Sequence, residues 1–108
     1  MKKVALAFAL LTPTTALADA AGDYAAMCAA CHGATGAGDG AASASLPVTP
    51  ANFGDAAFWT SRSDEEVANV IKNGGAAAGK SPLMAPFGST LDDARIAAMV
   101  EYLKTFAQ

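Results

Sequence analysis

Cys28-Ala29-Ala30-Cys31-His32 is the stretch that decides the fold of this 108-residue chain. Two cysteines that are separated by two residues and followed at once by histidine form the pattern of covalent haem attachment. Each thiol would add across one vinyl group of the haem, and the histidine would bind the iron as an axial ligand. Two intervening residues make about one helical turn, so both sulfurs can share one helix face. Since the chain has no other cysteine or histidine, its chemistry is expected to start here.

The first 18 residues have the three parts of a secretory signal peptide. Lys2 and Lys3 precede an apolar run over residues 4–11, and Ala16-Leu17-Ala18 precedes Asp19. The apolar run is too short to span a bilayer, so we favour cleavage over a retained membrane anchor. We therefore expect residues 1–18 to be removed. Residues 19–108 would then form one periplasmic domain that is not inserted in the membrane.

The charge of this expected mature chain limits its partners. Removal of Lys2 and Lys3 from the seven basic residues leaves five against ten acidic ones, so the formal charge changes from −3 to −5. Such a balance argues against nucleic acid and anionic lipid, and favours a redox protein with a basic docking face. We expect a monomer. Two cysteines in an exported protein often form a disulfide, but the adjacent histidine favours haem attachment.

The sequence predicts one short helix over residues 19–32. Tyr24, Met27, Cys28 and Cys31 lie at helical spacing and form one stripe. The helix would therefore lie along the haem edge with Tyr24 packed inside. Glycines at and after residue 33 end it.

Two further helices are predicted in the second half of the chain. Ser63-Asp64-Glu65-Glu66 is a capping box, and Gly74 ends the helix that it begins. The last helix is expected to start near Thr90. The predicted buried positions of the two helices are Val67, Val70, Ile71, Ile96, Met99, Val100 and Leu103.

The remaining segments are predicted to be loops, with no strand pattern and no repeat. Residues 33–52 are rich in glycine, alanine, serine and proline and are expected to wrap over the histidine side of the haem. Residues 74–89 are irregular, and Met84 lies there between Pro82 and Pro86. The aromatic residues between these loops are more typical of core around a cofactor than of a separate binding site; they are Phe53, Phe58 and Trp59.

Methionine is the main candidate for the second axial ligand because no second histidine exists. Met27 is tied to the attachment helix and cannot easily reach the opposite haem face. Met99 falls in an apolar stripe, where methionine is usually core. Elimination therefore favours Met84, and Lys80 is the alternative, since its amine could replace the thioether at high pH.

These features together resemble a small bacterial class I cytochrome c over essentially the whole mature chain. The resemblance implies an all-α cytochrome c fold, with three to four short helices and long loops around one covalently bound haem c. It also implies a soluble electron carrier rather than an enzyme, with the iron between His32 and Met84. The supporting motifs are Tyr24-x-x-x-Cys28-x-x-Cys31-His32-Gly33, Ile71-Lys72-Asn73-Gly74-Gly75, Met84-Ala85-Pro86-Phe87-Gly88 and Val100-Glu101-Tyr102-Leu103.

The family pattern implies further roles around the haem. A proline carbonyl usually holds the second ring nitrogen of the ligand histidine, and Pro47 is our choice for this role, with Pro50 as its rival. Trp59 and Arg62 are candidates to contact a haem propionate. The first and last helices should cross, which would bring Tyr24 near the last helix.

The chain also departs from the family pattern at two positions. Ala20 lies where many relatives have glycine at the helix crossing, so the resemblance implies an adjusted or wider crossing. The methionine is followed by Ala85-Pro86 rather than by Pro-Ala, which leaves the loop backbone open.

Four alternative functions were weighed against the free electron carrier. The first is the haem subunit of a multi-subunit periplasmic oxidoreductase. A haem peroxidase or a gas sensor would need an open iron position and usually a distal histidine or arginine. A thiol oxidoreductase would need a strand-containing fold around Cys28 and Cys31. A structural zinc site would need four ligands, whereas the chain offers two thiolates and one imidazole.

Overall fold

Five α-helices make up most of the regular structure of residues 7–108. The computed structural model describes the backbone of residues 7–108 and the side chains of residues 16–108. No strand occurs within residues 7–108, so the prediction of an all-α protein is confirmed. The helices are α1 (Ala7–Met27), α2 (Ala29–His32), α3 (Ala56–Thr60), α4 (Asp64–Asn73) and α5 (Asp93–Lys104), with 3₁₀ turns at Ala41–Ser45, Ala76–Ala78 and Thr105–Ala107.

The predicted helix over residues 19–32 is divided in two. α1 begins at Ala7 and ends at Met27, and Cys28 is a turn residue with φ −119° before α2. The Cys28 N–H still bonds the Tyr24 carbonyl at 2.9 Å, and the His32 N–H bonds the Cys28 carbonyl at 3.0 Å. Helical bonding therefore continues across the junction. Cys28 and Cys31 remain about one turn apart, as the spacing predicted.

The predicted signal peptide lies partly outside the described residues. Nothing is described of residues 1–6, which include Lys2 and Lys3, or of the side chains up to residue 15. Its cleavage after Ala18 therefore stays a prediction. In the part of the chain that the structure describes, no helix is long and apolar enough to cross a membrane.

The helix ends in the second half follow the sequence signals closely. The Ser63 hydroxyl accepts from the Glu66 N–H and the Glu66 carboxylate accepts from the Ser63 N–H, so the predicted capping box begins α4. Gly74 follows α4 with φ +87°, a conformation that side-chain-bearing residues rarely adopt. α5 begins later than expected. Asp92 is its N-cap, because its carboxylate accepts from the Arg95 N–H at 2.8 Å.

The core forms where α1 and α5 pack together and where α4 packs on α5. Tyr24 of α1 is 2 % exposed, and its ring centroid lies 5.6 Å from that of Tyr102 on α5. This confirms the predicted approach of Tyr24 to the last helix. Ala20 is buried as well. The other buried core residues are Phe53, Val67, Ile71, Leu91, Ile96, Met99, Val100 and Leu103.

The hydroxyl of Tyr24 ties α1 to the chain that follows α2. It donates a 2.5 Å hydrogen bond to the carbonyl of Gly33, which is buried. Burial raises the pKa of Tyr24 to about 12, with smaller contributions from Cys28 and Tyr102. The hydroxyl therefore keeps its proton at neutral pH and remains a donor.

Replacement of Tyr24 with phenylalanine is expected to lower the free energy of unfolding by about 0.5–1.5 kcal/mol, because the Gly33 carbonyl would lose one of its two hydrogen bonds and keep the one from the Gly36 N–H. Guanidinium unfolding of the purified holoprotein measures this loss. Tyr102→Phe is the matched control, since its hydroxyl makes no hydrogen bond within the described part of the chain. It should cost less than about 0.5 kcal/mol. Equal losses in the two variants would contradict a specific role for the Tyr24 hydroxyl.

Candidate functional site

A cavity of about 440 Å³ lies among the elements that carry the predicted site residues. Its volume is in the range of about 300–1,000 Å³ that ligand-binding pockets usually have. Cys31, His32 and Met84 all line it, although more than fifty residues separate His32 from Met84. The apolar part of the lining consists of Leu46, Val48, Pro50, Ala51, Phe53, Phe58, Val67, Val70, Ile71, Leu83 and Leu103.

His32 enters the cavity from the end of α2. Its Nδ1 lies 3.3 Å from the carbonyl oxygen of Ala51. A carbonyl can only accept, so this bond requires the proton on Nδ1 and leaves the lone pair on Nε2. Burial lowers the pKa of His32 below its usual 6.5, although the Ala51 bond opposes this shift. The ring is therefore neutral at pH 7, the form in which imidazole binds a metal.

Met84 reaches the same cavity from the loop between α4 and α5. Its carbonyl accepts a 2.9 Å hydrogen bond from the Gly75 N–H, which joins the two ends of residues 75–84. Only glycine fits at position 75, because a Cβ there would collide with the carbonyl oxygen of Ser81. The chain after the methionine is held to the end of α4, since the Phe87 N–H bonds the Ile71 carbonyl at 2.8 Å. The loop position of Met84 is therefore fixed by the backbone.

Cys28 and Cys31 are both half-buried free thiols in the structure. Cys31 lines the cavity, whereas Cys28 packs against the core beside it. Burial raises the pKa of Cys28 to about 11, and the nearby Asp23 and Cys31 add to the shift. Cys28 is therefore protonated at neutral pH, and a thiol is the group that adds across a vinyl bond.

The chain matches a known protein family over most of its length. Residues 15–103, most of the chain, match the model of the family described as cytochrome c oxidase, cbb3-type, subunit III. The chain belongs to this family. It is a small c-type cytochrome with an all-α cytochrome c fold, and thus an electron-transfer haem protein. No curated protein matches the chain.

The residues of this cytochrome fit the haem c that its family implies. The cavity offers an imidazole nitrogen from His32, a thioether sulfur from Met84 and an apolar lining. Imidazole and thioether are together the axial set of many c-type haems. Within the described residues, no cluster of three or more His, Cys, Asp or Glu side chains could hold a metal ion. The imidazole and thioether at the cavity suit a haem iron.

The carbonyl that bonds the imidazole of His32 differs from the one that the resemblance implied. The choice of Pro47 was wrong, and so was its rival Pro50, because the partner of His32 is Ala51. Pro47 is exposed and does not line the cavity. Pro50 does line it, but its carbonyl oxygen lies against Gly38, in the space that a Cβ there would occupy. The next carbonyl along the chain therefore meets the imidazole.

The two candidate propionate contacts have different positions in the cytochrome. Trp59 does not line the cavity, and its indole N–H donates to the Phe53 carbonyl at 2.9 Å. Its only donor is therefore already used, which does not support the expected propionate contact. Arg62 does line the cavity, with its guanidinium carbon 4.2 Å from the centre of the Phe58 ring. Its role toward a propionate stays a prediction.

Sequence reasoning missed two contacts of His32. One is the Ala51 carbonyl, and the other is the Phe53 ring, which stacks on the imidazole with centroids 4.7 Å apart. A backbone carbonyl leaves no mark in the sequence. Phe53 was recognised in the sequence, but only as a core residue and not as a contact of His32.

Proposed function

We propose that this cytochrome carries single electrons, with a haem attached to Cys28 and Cys31 and its iron held between His32 and Met84. One observation carries the proposal: a cysteine of the attachment motif, the only histidine and the loop methionine line one apolar cavity. Bound haem supplies the one-electron couple between ferric and ferrous iron. The protein then needs only to keep both ligands in place while the charge changes.

The backbone contacts of the two ligands favour small movements during electron transfer. The imidazole is held through Ala51, and the main chain of Met84 is held by Gly75 and, through the following residues, by α4. A soft thioether ligand stabilises ferrous iron and raises the reduction potential. The apolar cavity acts in the same direction, because it solvates the extra charge of the oxidised centre poorly.

The electron is expected to leave at the attached edge of the haem, near Cys28 and Cys31. Ala29 is half-buried and Ala30 is exposed there, so a partner can approach closely. The partner is proposed to have a basic docking face. Four acidic side chains form ion pairs with described basic residues. The remaining six are exposed and unpaired within that part of the chain; they are Asp19, Asp39, Asp55, Glu65, Glu66 and Asp92.

The proposed location is the periplasm, after removal of residues 1–18. Lys2, Lys3 and Ala16-Leu17-Ala18 support export through the charged start and cleavage pattern.

A subunit role is the second candidate function. The matching family is described as a subunit of a cbb3-type cytochrome c oxidase, which favours an electron-transferring component of a larger enzyme. The free carrier and the subunit would use the same haem site. A partner that stays with the protein in fixed ratio through purification would favour the subunit.

The visible spectrum of the protein, purified from a periplasm with its haem-attachment machinery, tests the proposal. We expect a low-spin haem in both oxidation states, a weak far-red iron–sulfur band in the ferric state and haem that resists denaturing extraction. Cyanide should bind slowly, because Met84 fills the sixth position. Colourless protein with two alkylatable thiols would favour a thiol oxidoreductase instead. High-spin ferric iron that binds cyanide or peroxide quickly would favour a peroxidase or a gas sensor.

A further inference from the structure

The ring of Phe53 lies nearly flat against the imidazole of His32. The ring centroids are 4.7 Å apart and the planes differ by 25°. Phe53 is only 6 % exposed, so this contact is shielded from water. No other aromatic ring stacks on His32 among the residues whose side chains the structure describes.

Phe53 is itself held from several directions. Its N–H donates to the Gly36 carbonyl at 2.7 Å, and its carbonyl accepts from the Trp59 indole at 2.9 Å. The ring of Phe58 meets it edge-on, at 5.4 Å and 80°. Main chain and ring are thus both fixed, and the face that Phe53 presents to the histidine cannot easily turn away.

The hydrogen bond to Ala51 leaves one motion of the imidazole open. A bond from Nδ1 to a single oxygen sets the direction of that nitrogen, but the ring can still rock about the line between the two atoms. A flat face stacked on the ring opposes this motion, because tilting the imidazole would lose the contact. Ala51 and Phe53 are two residues apart, so one short segment supplies both restraints.

We propose that Phe53 is a positioning residue that sets the plane of the His32 imidazole and, through it, the electronic structure of the iron. The inference rests on the proposed function, in which His32 is an axial ligand. The plane of an axial imidazole determines which iron d orbital it overlaps. Groups around a ligand that set its orientation therefore tune the metal without touching it.

Phe53→Leu tests the proposal, because leucine keeps an apolar side chain and removes the flat face. The expected result in the ferric holoprotein is a shift of the largest electron paramagnetic resonance g value beyond the wild-type linewidth. The haem-methyl proton shifts should be redistributed as well. Haem attachment and the far-red band should be retained. Phe53→Tyr keeps the flat face and should restore the wild-type values.

Phe106→Leu is the matched control, since Phe106 packs on Tyr24 and Tyr102 and does not line the cavity. It should leave the g values unchanged. Wild-type g values in Phe53→Leu would overturn the inference, and so would equal shifts in Phe53→Tyr or Phe106→Leu.

A measurement on the wild-type protein tests the contact between Phe53 and His32 even where a variant fails to fold. Nuclear Overhauser contacts between the ring protons of His32 and Phe53 are expected in the reduced, diamagnetic protein. Their absence would overturn the inference alone. A wild-type spectrum without low-spin histidine–methionine features would instead overturn the proposed function.

Discussion

Replacement of Met84 with alanine is expected to leave the haem attached and to abolish the weak far-red iron–sulfur band. The reduction potential should fall by on the order of 0.1 V or more, since axial ligands set haem potentials over a span of about 0.8 V. The physical reason is the loss of a soft ligand that favours ferrous iron. The iron should also bind added cyanide or imidazole much faster than in the wild type. Visible spectra and potentiometric titration of the purified protein measure these changes.

Two controls separate loss of the ligand from disturbance of the fold. Leu83→Ala changes the neighbouring residue of the same loop, whose side chain is 57 % exposed, and should keep the band. Met99→Leu removes a buried core methionine at similar volume and should keep it too. A far-red band that persists in Met84→Ala would show that another sulfur holds the sixth position. A low-spin spectrum without the band would point to Lys80, and Met84→Ala combined with Lys80→Ala would test that ligand.

Replacement of both Cys28 and Cys31 with alanine is expected to abolish covalent haem attachment completely. Each single variant should retain one thioether at lower yield. Loss of the haem would leave the 440 Å³ cavity empty. The apolar contacts between the haem and this lining would be lost, and their loss weighs heavily against the total stability of about 5–15 kcal/mol of a typical domain. The double variant should therefore lose its fixed tertiary packing.

The mass of the intact denatured chain and near-ultraviolet circular dichroism measure these two losses. Ala30→Ser, an exposed change within the motif, is the matched control and should keep both haem and packing. Haem that stays bound to the denatured double variant would refute attachment through these thiols. Native packing in a haem-free double variant would show that the core is stable without the cofactor.

The sequence was sufficient for those parts of the protein that depend on side-chain pattern. The helix of Ser63 and Glu66 was predictable because its cap uses two side chains at fixed spacing. Met84 was predicted as the second ligand by elimination among three methionines; it lines the cavity, and its binding to iron stays a prediction. The division of the first helix at Cys28 was not predictable, because it depends on a local backbone change without glycine or proline.

The contacts made by the main chain were the part that sequence could not provide. Every residue has a carbonyl, so nothing distinguishes Ala51 from Pro47 or Pro50 as the partner of His32 before the path of the loop is known. The hydrogen-bond partner of the Trp59 indole could not be predicted from sequence either. Its indole N–H was available in principle to a propionate, but the fold placed the Phe53 carbonyl within reach.

The bond between the Gly75 N–H and the Met84 carbonyl has a consequence for how this gene can change over time. It uses only main-chain atoms, so the side chains between its two ends contribute nothing to it. At the tip, Ala76 and Ala77 are exposed, whereas Gly79 has φ +73°, a conformation that any side chain would strain. Substitutions can therefore accumulate at these two alanines, while natural selection acts chiefly on Gly79 at the tip and on Gly75 and Met84 at the base.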